Sequence, residues 1–289
     1  VKCGNPFVKD GKAYGCGQCL PCRINRRRVW THRIMLEAAL HADNAFITLT
    51  YSDEHLPIDG NVHVGEMQRW LKRLRKELAP AKIRYFLVGE YGEISQRPHY
   101  HAMVFGYPGC LNGVTSKKEK CCTSCDLIRR TWPFGHVYLG TVTRESAQYI
   151  SGYTAKGWTN PNNPALQNRS PEFARMSLRP GIGADITWEI ASAILPHLDE
   201  TQDVPSILRH GKSILPLGRY LTKLLRARCG RDTSTPKVKL DEMEAKLLPL
   251  RQYAFTNSKS FKTTILEENE GQRINVEARE KRKRKKGYQ

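Results

Sequence analysis

The stretch KIRYFLVGEYGEISQRPHYHAMVFG, residues 82–106, sets two strand-like runs on either side of a short polar connection. KIRYFLVGEY and HYHAMVFG are rich in β-branched and aromatic residues, and GEISQRP is short enough to join them as an antiparallel pair. Residues two apart on a strand point to the same face, so His99 and His101 share one side of the second run. Two neutral imidazoles there can reach one ion together, and an oxygen ligand beside them would suit Mg²⁺ or Mn²⁺. Glu90, at the end of the first run, is the nearest acid, with Glu93 as the fallback. Pro98 fixes φ at the strand start, and Arg97 is placed to meet a phosphate. A single histidine is more often a packed or surface residue than a ligand, so the pair needs partners elsewhere in the chain.

Outward from this hairpin, strands and helices alternate. RINRRR (23–28) opens a helix from about Arg26 to His41, with Trp30, Ile34, Met35, Leu36 and Leu40 as its apolar stripe. NAFITLTYS (44–52) reads as a strand buried on both faces or nearly so. VGEMQRWLKRLRKEL (64–78) is an amphipathic helix with Met67, Trp70, Leu71, Leu74 and Leu78 on one side. Downstream, IRRTWPF (128–134) suggests a short helix and GHVYLGTV (135–142) a strand. RESAQYISGYTAK (144–156) reads as a helix that Thr143 caps and Gly157 ends. The expected fold class is α+β, a central antiparallel sheet flanked by helices. The expected organisation is a cysteine-rich segment at 1–25, a core at 26–158 with a cysteine-rich insertion at 110–125, a mostly helical extension at 159–229, and an extension at 230–289. The last of these ends in the basic tail AREKRKRKKGYQ, with Lys281 to Lys286 all cationic, which is expected to lack a fixed structure of its own.

The 289 residues carry a formal net charge of +19, which points to a polyanionic partner. Arg23, Arg26, Arg27 and Arg28 form one cluster, and Lys72, Arg73, Arg75 and Lys76 another. A charge run is usually a solvated helix face, but several clusters plus the tail exceed what solubility needs, so contact with a phosphate backbone is the better reading. No apolar run approaches the ~20 residues of a membrane-spanning helix, and no secretory leader stands at the start. The expectation is a soluble, intracellular protein without a membrane partner.

Cysteines fall into two groups, with Cys229 apart. Cys16, Cys19 and Cys22 follow C-x₂-C-x₂-C, and Cys3 completes a tetrathiolate set that suits structural Zn²⁺. An iron–sulfur cluster shares that local spacing and is the rival, although phosphodiester chemistry has no redox step. Cys110, Cys121, Cys122 and Cys125 are less regular and form a second, weaker zinc candidate.

Tyr149 and Tyr153 in YISGYTAK (149–156) are four residues apart and share a helix face, with Lys156 three beyond. The bland reading packs the tyrosines on the sheet. A phenol can also attack a phosphodiester when the phosphate is polarised and the developing charge stabilised.

In the order FITLTY (46–51), RPHYHAMVF (97–105) and YISGYTAK, the chain resembles the HUH endonucleases that initiate rolling-circle replication. CGQCLPCRINRRRVWTHRIMLE (16–37), FITLTYSDEHLP (46–57), SLRPGIGA (177–184) and GKSILPLGRYL (211–221) resemble the replication initiators of gokushovirus-type microviruses, small single-stranded DNA phages. The resemblance implies that His99 and His101, with Glu90 less firmly, hold a divalent cation. It makes Tyr149 and Tyr153 the nucleophile pair, in an order left open, with Lys156 beside them. The activity implied is nicking of single-stranded origin DNA through a 5′-phosphotyrosine link, release of a 3′-OH primer, and rejoining of the ends. The implied setting is the cytoplasm of a bacterial host, with a host helicase and DNA polymerase as partners. A zinc-braced nucleic-acid-binding regulator, or a relaxase or transposase of the same class, is the alternative.

Overall fold

The computed structural model describes residues 2–92, 94–113, 115, 121–153, 166–199 and 201–285. A short hairpin of β1 (Phe7–Lys9) and β2 (Lys12–Tyr14) leads into helix α1 (Leu20–Ala38). β3 (Asn44–Thr50) and α2 (Val64–Leu78) follow, then the hairpin of β4 (Arg84–Tyr91) and β5 (Pro98–Phe105). Next come α3 (Thr123–Thr131), β6 (Val137–Thr141), α4 (Arg144–Tyr153) and β7 (Phe173–Met176). The remainder comprises α5 (Ile186–Ile194), the hairpin of β8 (Ile207–His210) and β9 (Ser213–Pro216), α6 (Gly218–Arg228), α7 (Lys237–Thr256) and α8 (Phe261–Lys285).

The central sheet has the order β6-β3-β5-β4-β7, and every neighbouring pair is antiparallel. The expected α+β class is the observed one. The sheet is sandwiched because both its faces carry apolar side chains. On one face Ala45, Ile47, Leu49, Tyr100, Ala102 and Val104 pack with Met67, Trp70, Leu71 and Leu74 of α2 and Ile128 of α3. On the other, Phe86, Val88, Met103 and Phe105 pack with Ile34 of α1 and Ala147 and Ile150 of α4. Burying each such side chain contributes about 1.5–3 kcal/mol before entropy is counted. Helices α5 and α6 form a further apolar cluster around Leu217, Leu221 and Leu225, which takes in Leu36 of α1.

Several expectations need correcting. Helix α1 starts at Leu20 rather than Arg26, because Pro21 sits in the first turn, where its missing N–H costs nothing. β3 is not buried on both faces: Ala45, Ile47 and Leu49 are fully buried, while Phe46 and Thr48 on the other face are only half-buried. That open face belongs to the site described below. Helix α3 begins inside the cysteine-rich insertion, at Thr123, and buries Cys125. β7 comes from beyond residue 158, yet it pairs with β4 and closes one edge of the sheet. The basic tail is helical to Lys285, since α8 docks through buried Thr264 and Ile265 and through an ion pair to Arg27 of α1. Thr143 caps α4 as its hydroxyl accepts the Ser146 N–H at 3.2 Å, whereas Gly157 lies outside the described residues.

Candidate active site

Strand register assembles the site. Glu90 on β4 stands opposite His99 on β5, and Thr48 on β3 stands opposite His101. Because side chains alternate, Glu90, His99, His101 and Thr48 all emerge on the half-open face beneath α4. Glu90 is 2% exposed and its Oε1 lies 2.7 Å from His99 Nε2 and 2.9 Å from His101 Nε2. Burial pushes the Glu90 carboxyl up, but hydrogen bonds from His101 and then His99 outweigh it and hold the group below its ordinary range. Burial pushes His99 down, and the Glu90 hydrogen bond and charge outweigh that, so its pKa is raised.

The donor set fits a divalent cation. One atom from each of Glu90, His99 and His101 lies within 4.8 Å of the others. Both rings are held from behind: His99 Nδ1 is 3.1 Å from the Arg97 carbonyl and His101 Nδ1 is 2.9 Å from Thr48 Oγ1. A ring that donates Nδ1–H to such an acceptor leaves the Nε2 lone pair facing the site. Two imidazoles and a carboxylate form a borderline-to-hard set of the kind Mn²⁺ or Mg²⁺ accepts.

Helix α4 brings the tyrosines over this cluster. Tyr149 Oη lies 3.3 Å from His101 Nε2, and the Tyr153 ring stacks on the His101 ring with centroids 6.0 Å apart. The two tyrosine rings meet edge to face at 5.2 Å. Tyr153 has its pKa raised, by burial first and then by the negative charge of Glu90. Helix α4 is locked to α1 by the Thr31–Ser151 hydroxyl pair at 2.7 Å. Lys156 and Glu93 lie outside the described residues.

Sequence reasoning passed over three neighbours of this cluster. Thr48 orients His101, and Phe46 stacks on the same ring at 5.4 Å with planes 11° apart. Glu172, just before β7, is 3% exposed, accepts the Tyr91 N–H at 3.3 Å, and its charge acts on His99 and Tyr153. Period-2 alternation places Thr48 and Phe46 on the site face of β3. Glu172 carries no comparable signal, because an acid in a Pro-flanked loop is ordinarily solvated.

The cations are distributed unevenly. Arg23, Arg26, Arg27 and Arg28 lie on α1, the layer that also holds α4. Arg27 pairs with Glu280 at 3.4 Å, Arg28 donates to the Ile214 carbonyl at 2.8 Å and Arg26 to that of Gly17 at 3.2 Å. Lys72 and Arg73 lie on α2, across the sheet from the histidines, and Arg73 donates to the Thr131 carbonyl at 2.8 Å. Arg97 is at the site's rim, paired with Asp53 at 2.6 Å and donating to the Tyr51 carbonyl at 3.1 Å.

Both cysteine sets converge. In each, Cys3, Cys16, Cys19 and Cys22 or Cys110, Cys121, Cys122 and Cys125, the four sulfurs lie within 4.8 Å of one another. Burial raises Cys16, yet the N–H groups of Cys19 and Gln18 outweigh it and bring the thiol to about 6. The N–H groups of Cys125 and Leu111 likewise overcome burial and bring Cys122 to about 7. Backbone donors aimed at sulfur favour thiolate, the form that Zn²⁺ binds, so both sets are consistent with zinc. The first set sits at the start of α1 and the second at the start of α3, so each pins a helix end.

Comparison with known proteins gives these parts a context. Residues 44–158 match a family model described as a replication-associated protein of the ORF2 type. The chain is similar to replication-associated protein VP4 of Bdellovibrio phage phiMH2K, 34% identical over 161 residues, covering 52% of this chain and 50% of that protein. Replication-associated protein ORF2 of Spiroplasma virus 4 is 34% identical over 189 residues, covering 62% and 58%. Replication-associated protein ORF4 of Chlamydia phage 1 is 24% identical over 258 residues, covering 84% and 61%. The chain therefore spans between half and three-fifths of the length of these curated relatives. No solved structure matches. Among the described residues no helix is long and apolar enough to cross a membrane.

Proposed function

Starting from a chain whose residues 44–158 belong to the ORF2-type replication-associated protein family, we propose that it nicks and rejoins single-stranded origin DNA in rolling-circle replication of a phage in a bacterial host. The observation that carries this reading is the Tyr149 hydroxyl 3.3 Å from His101, directly over the Glu90, His99 and His101 cluster. A divalent cation held by those three residues would polarise the scissile phosphate.

The protein's own groups then set the geometry. Thr48 and the Arg97 carbonyl fix the imidazoles, Glu90 neutralises their surroundings, and α4 holds the phenols against them. The Tyr149 oxygen forms a bond to phosphorus as the bond to the 3′ oxygen breaks. One proton leaves the phenol and one joins the departing 3′ oxygen, so no net proton is consumed. The tyrosyl phosphodiester keeps the energy of the broken link, and resealing needs no nucleotide cofactor. Tyr153, stacked on the same imidazole, is placed to act in the second transfer. Lys156, three residues beyond Tyr153, would meet the phosphate charge. The 3′-OH so freed would serve a host polymerase behind a host helicase, and the two zinc candidates would brace the helices around the site.

The test is to mix the protein with single-stranded origin DNA and Mn²⁺ and look for a covalent adduct on a denaturing gel. The expected result is an adduct that Tyr149→Phe with Tyr153→Phe abolishes while DNA binding survives. Tight DNA binding and bound metal without any adduct would sink the enzyme in favour of a zinc-braced regulator.

A further inference from the structure

Helix α8 divides its charge along its length. Its early acids are engaged: Glu268 with Lys2, Glu270 and Glu277 with Arg273, and Glu280 with Arg27. After Glu280 the sequence is Lys281, Arg282, Lys283, Arg284, Lys285 and Lys286, with no acid among them. Lys281 and Arg282 are exposed, and neither has an ion pair among the described residues. Favourable interaction with the dipole at a helix C-terminus could account for one or two such cations, at about 0.3–1 kcal/mol each. It does not account for where they are put.

The last acid determines that position. Arg27 and Glu280 are 253 residues apart in sequence, and their side chains are only 20% and 17% exposed. Arg27 also lies against the tyrosine helix: a Cβ added to Gly152, between Tyr149 and Tyr153, would sit 3.9 Å from Arg27 Cδ. One turn further along α1, Thr31 hydrogen-bonds Ser151 of that helix. The Glu280–Arg27 contact therefore ties α8 to the tyrosine-bearing turn, one residue before the cations begin.

We infer that α8 is a clamp for the DNA strand, latched by Glu280 on Arg27 so that Lys281 and Arg282 meet its phosphates beside the tyrosine helix. The inference rests on the nickase reading above and adds a location and a latch to it. A basic tail that merely raised affinity would need neither. A latched clamp makes the position of the charge, and not only its amount, matter to cleavage.

Two substitutions separate these cases in the full chain with Mn²⁺ and single-stranded DNA. Lys281→Ala with Arg282→Ala should flatten the salt dependence of binding by about 1.4, or 0.7 for each lost phosphate contact, and reduce adduct formation at limiting DNA. Glu280→Gln keeps every cation and frees Arg27. An untethered tail predicts equal or tighter binding and undiminished cleavage. The clamp predicts retained binding with several-fold slower adduct formation, restored by the charge swap Arg27→Glu with Glu280→Arg. Wild-type cleavage by Glu280→Gln would overturn the latch, and an unchanged salt slope in the double alanine variant would overturn the clamp. If the wild type forms no adduct, the nickase reading fails, and the salt slope still decides whether Lys281 and Arg282 touch DNA.

Discussion

Thr48 Oγ1 lies 2.9 Å from Nδ1 of His101, its register partner across β3 and β5. The hydroxyl fixes which imidazole nitrogen faces Glu90. Thr48→Val keeps the β-branched shape and removes the hydrogen bond. Groups that hold a metal-binding ring from behind commonly change metal affinity by about 10–100-fold when lost. The variant should fold normally, bind Mn²⁺ within that range more weakly in calorimetry, and regain cleavage when Mn²⁺ is raised.

The tyrosines should differ in effect. Tyr149 touches His101 through its hydroxyl, whereas Tyr153 stacks by its ring and its proton is held by burial and by Glu90. Tyr149→Phe should abolish first cleavage of a short single-stranded substrate. Tyr153→Phe should retain it and lose strand transfer to a second substrate, as scored by adduct and ligation products on one gel.

The cysteine tetrads should hold one zinc each, two per chain. Cys19→Ser should halve the zinc content measured by elemental analysis and lower the melting temperature, because α1 starts at this residue. A strong chelator should destabilise the wild type more than either single-tetrad variant.

His32 is fully buried, with its Nε2 2.7 Å from His210 Nε2 and its Nδ1 2.9 Å from the Pro216 carbonyl. Burial is the main cause that brings its pKa down to about 4. In the unfolded chain the ring gains a proton near pH 6.5, which the folded chain refuses until about 4. Stability therefore falls as pH drops from about 6.5 to about 4, by a few kcal/mol at most, and is unaffected by this group above that window. Urea midpoints at pH 7 and pH 5 should show the loss, and His32→Gln should reduce the difference between them.

Gly135 packs on the end of β3. A Cβ there would lie 2.3 Å from the Thr50 carbonyl oxygen and 2.5 Å from the Ser52 nitrogen. These are backbone atoms held by hydrogen bonds to His136 and Phe134, so they cannot step aside. Gly135→Ala should destabilise the fold by about 2 kcal/mol or more and disturb Thr50, next to the site strand, seen as a lower melting temperature.

Whatever is local and periodic was legible in the amino-acid sequence. The β4–β5 hairpin, the shared face of His99 and His101, the shared face of Tyr149 and Tyr153, and the grouping of cysteines all follow from spacings of two, three or four residues. What meets across the chain was settled by tertiary packing alone. It put Thr48 behind His101, Glu172 behind Tyr91, β7 at the sheet edge, and Glu280 on Arg27. The run of cations near the C-terminus has a composition that cannot bury enough apolar surface to order itself. It becomes a helix with a defined place because α1 supplies the partner, a contact spanning 253 residues that no local pattern encodes.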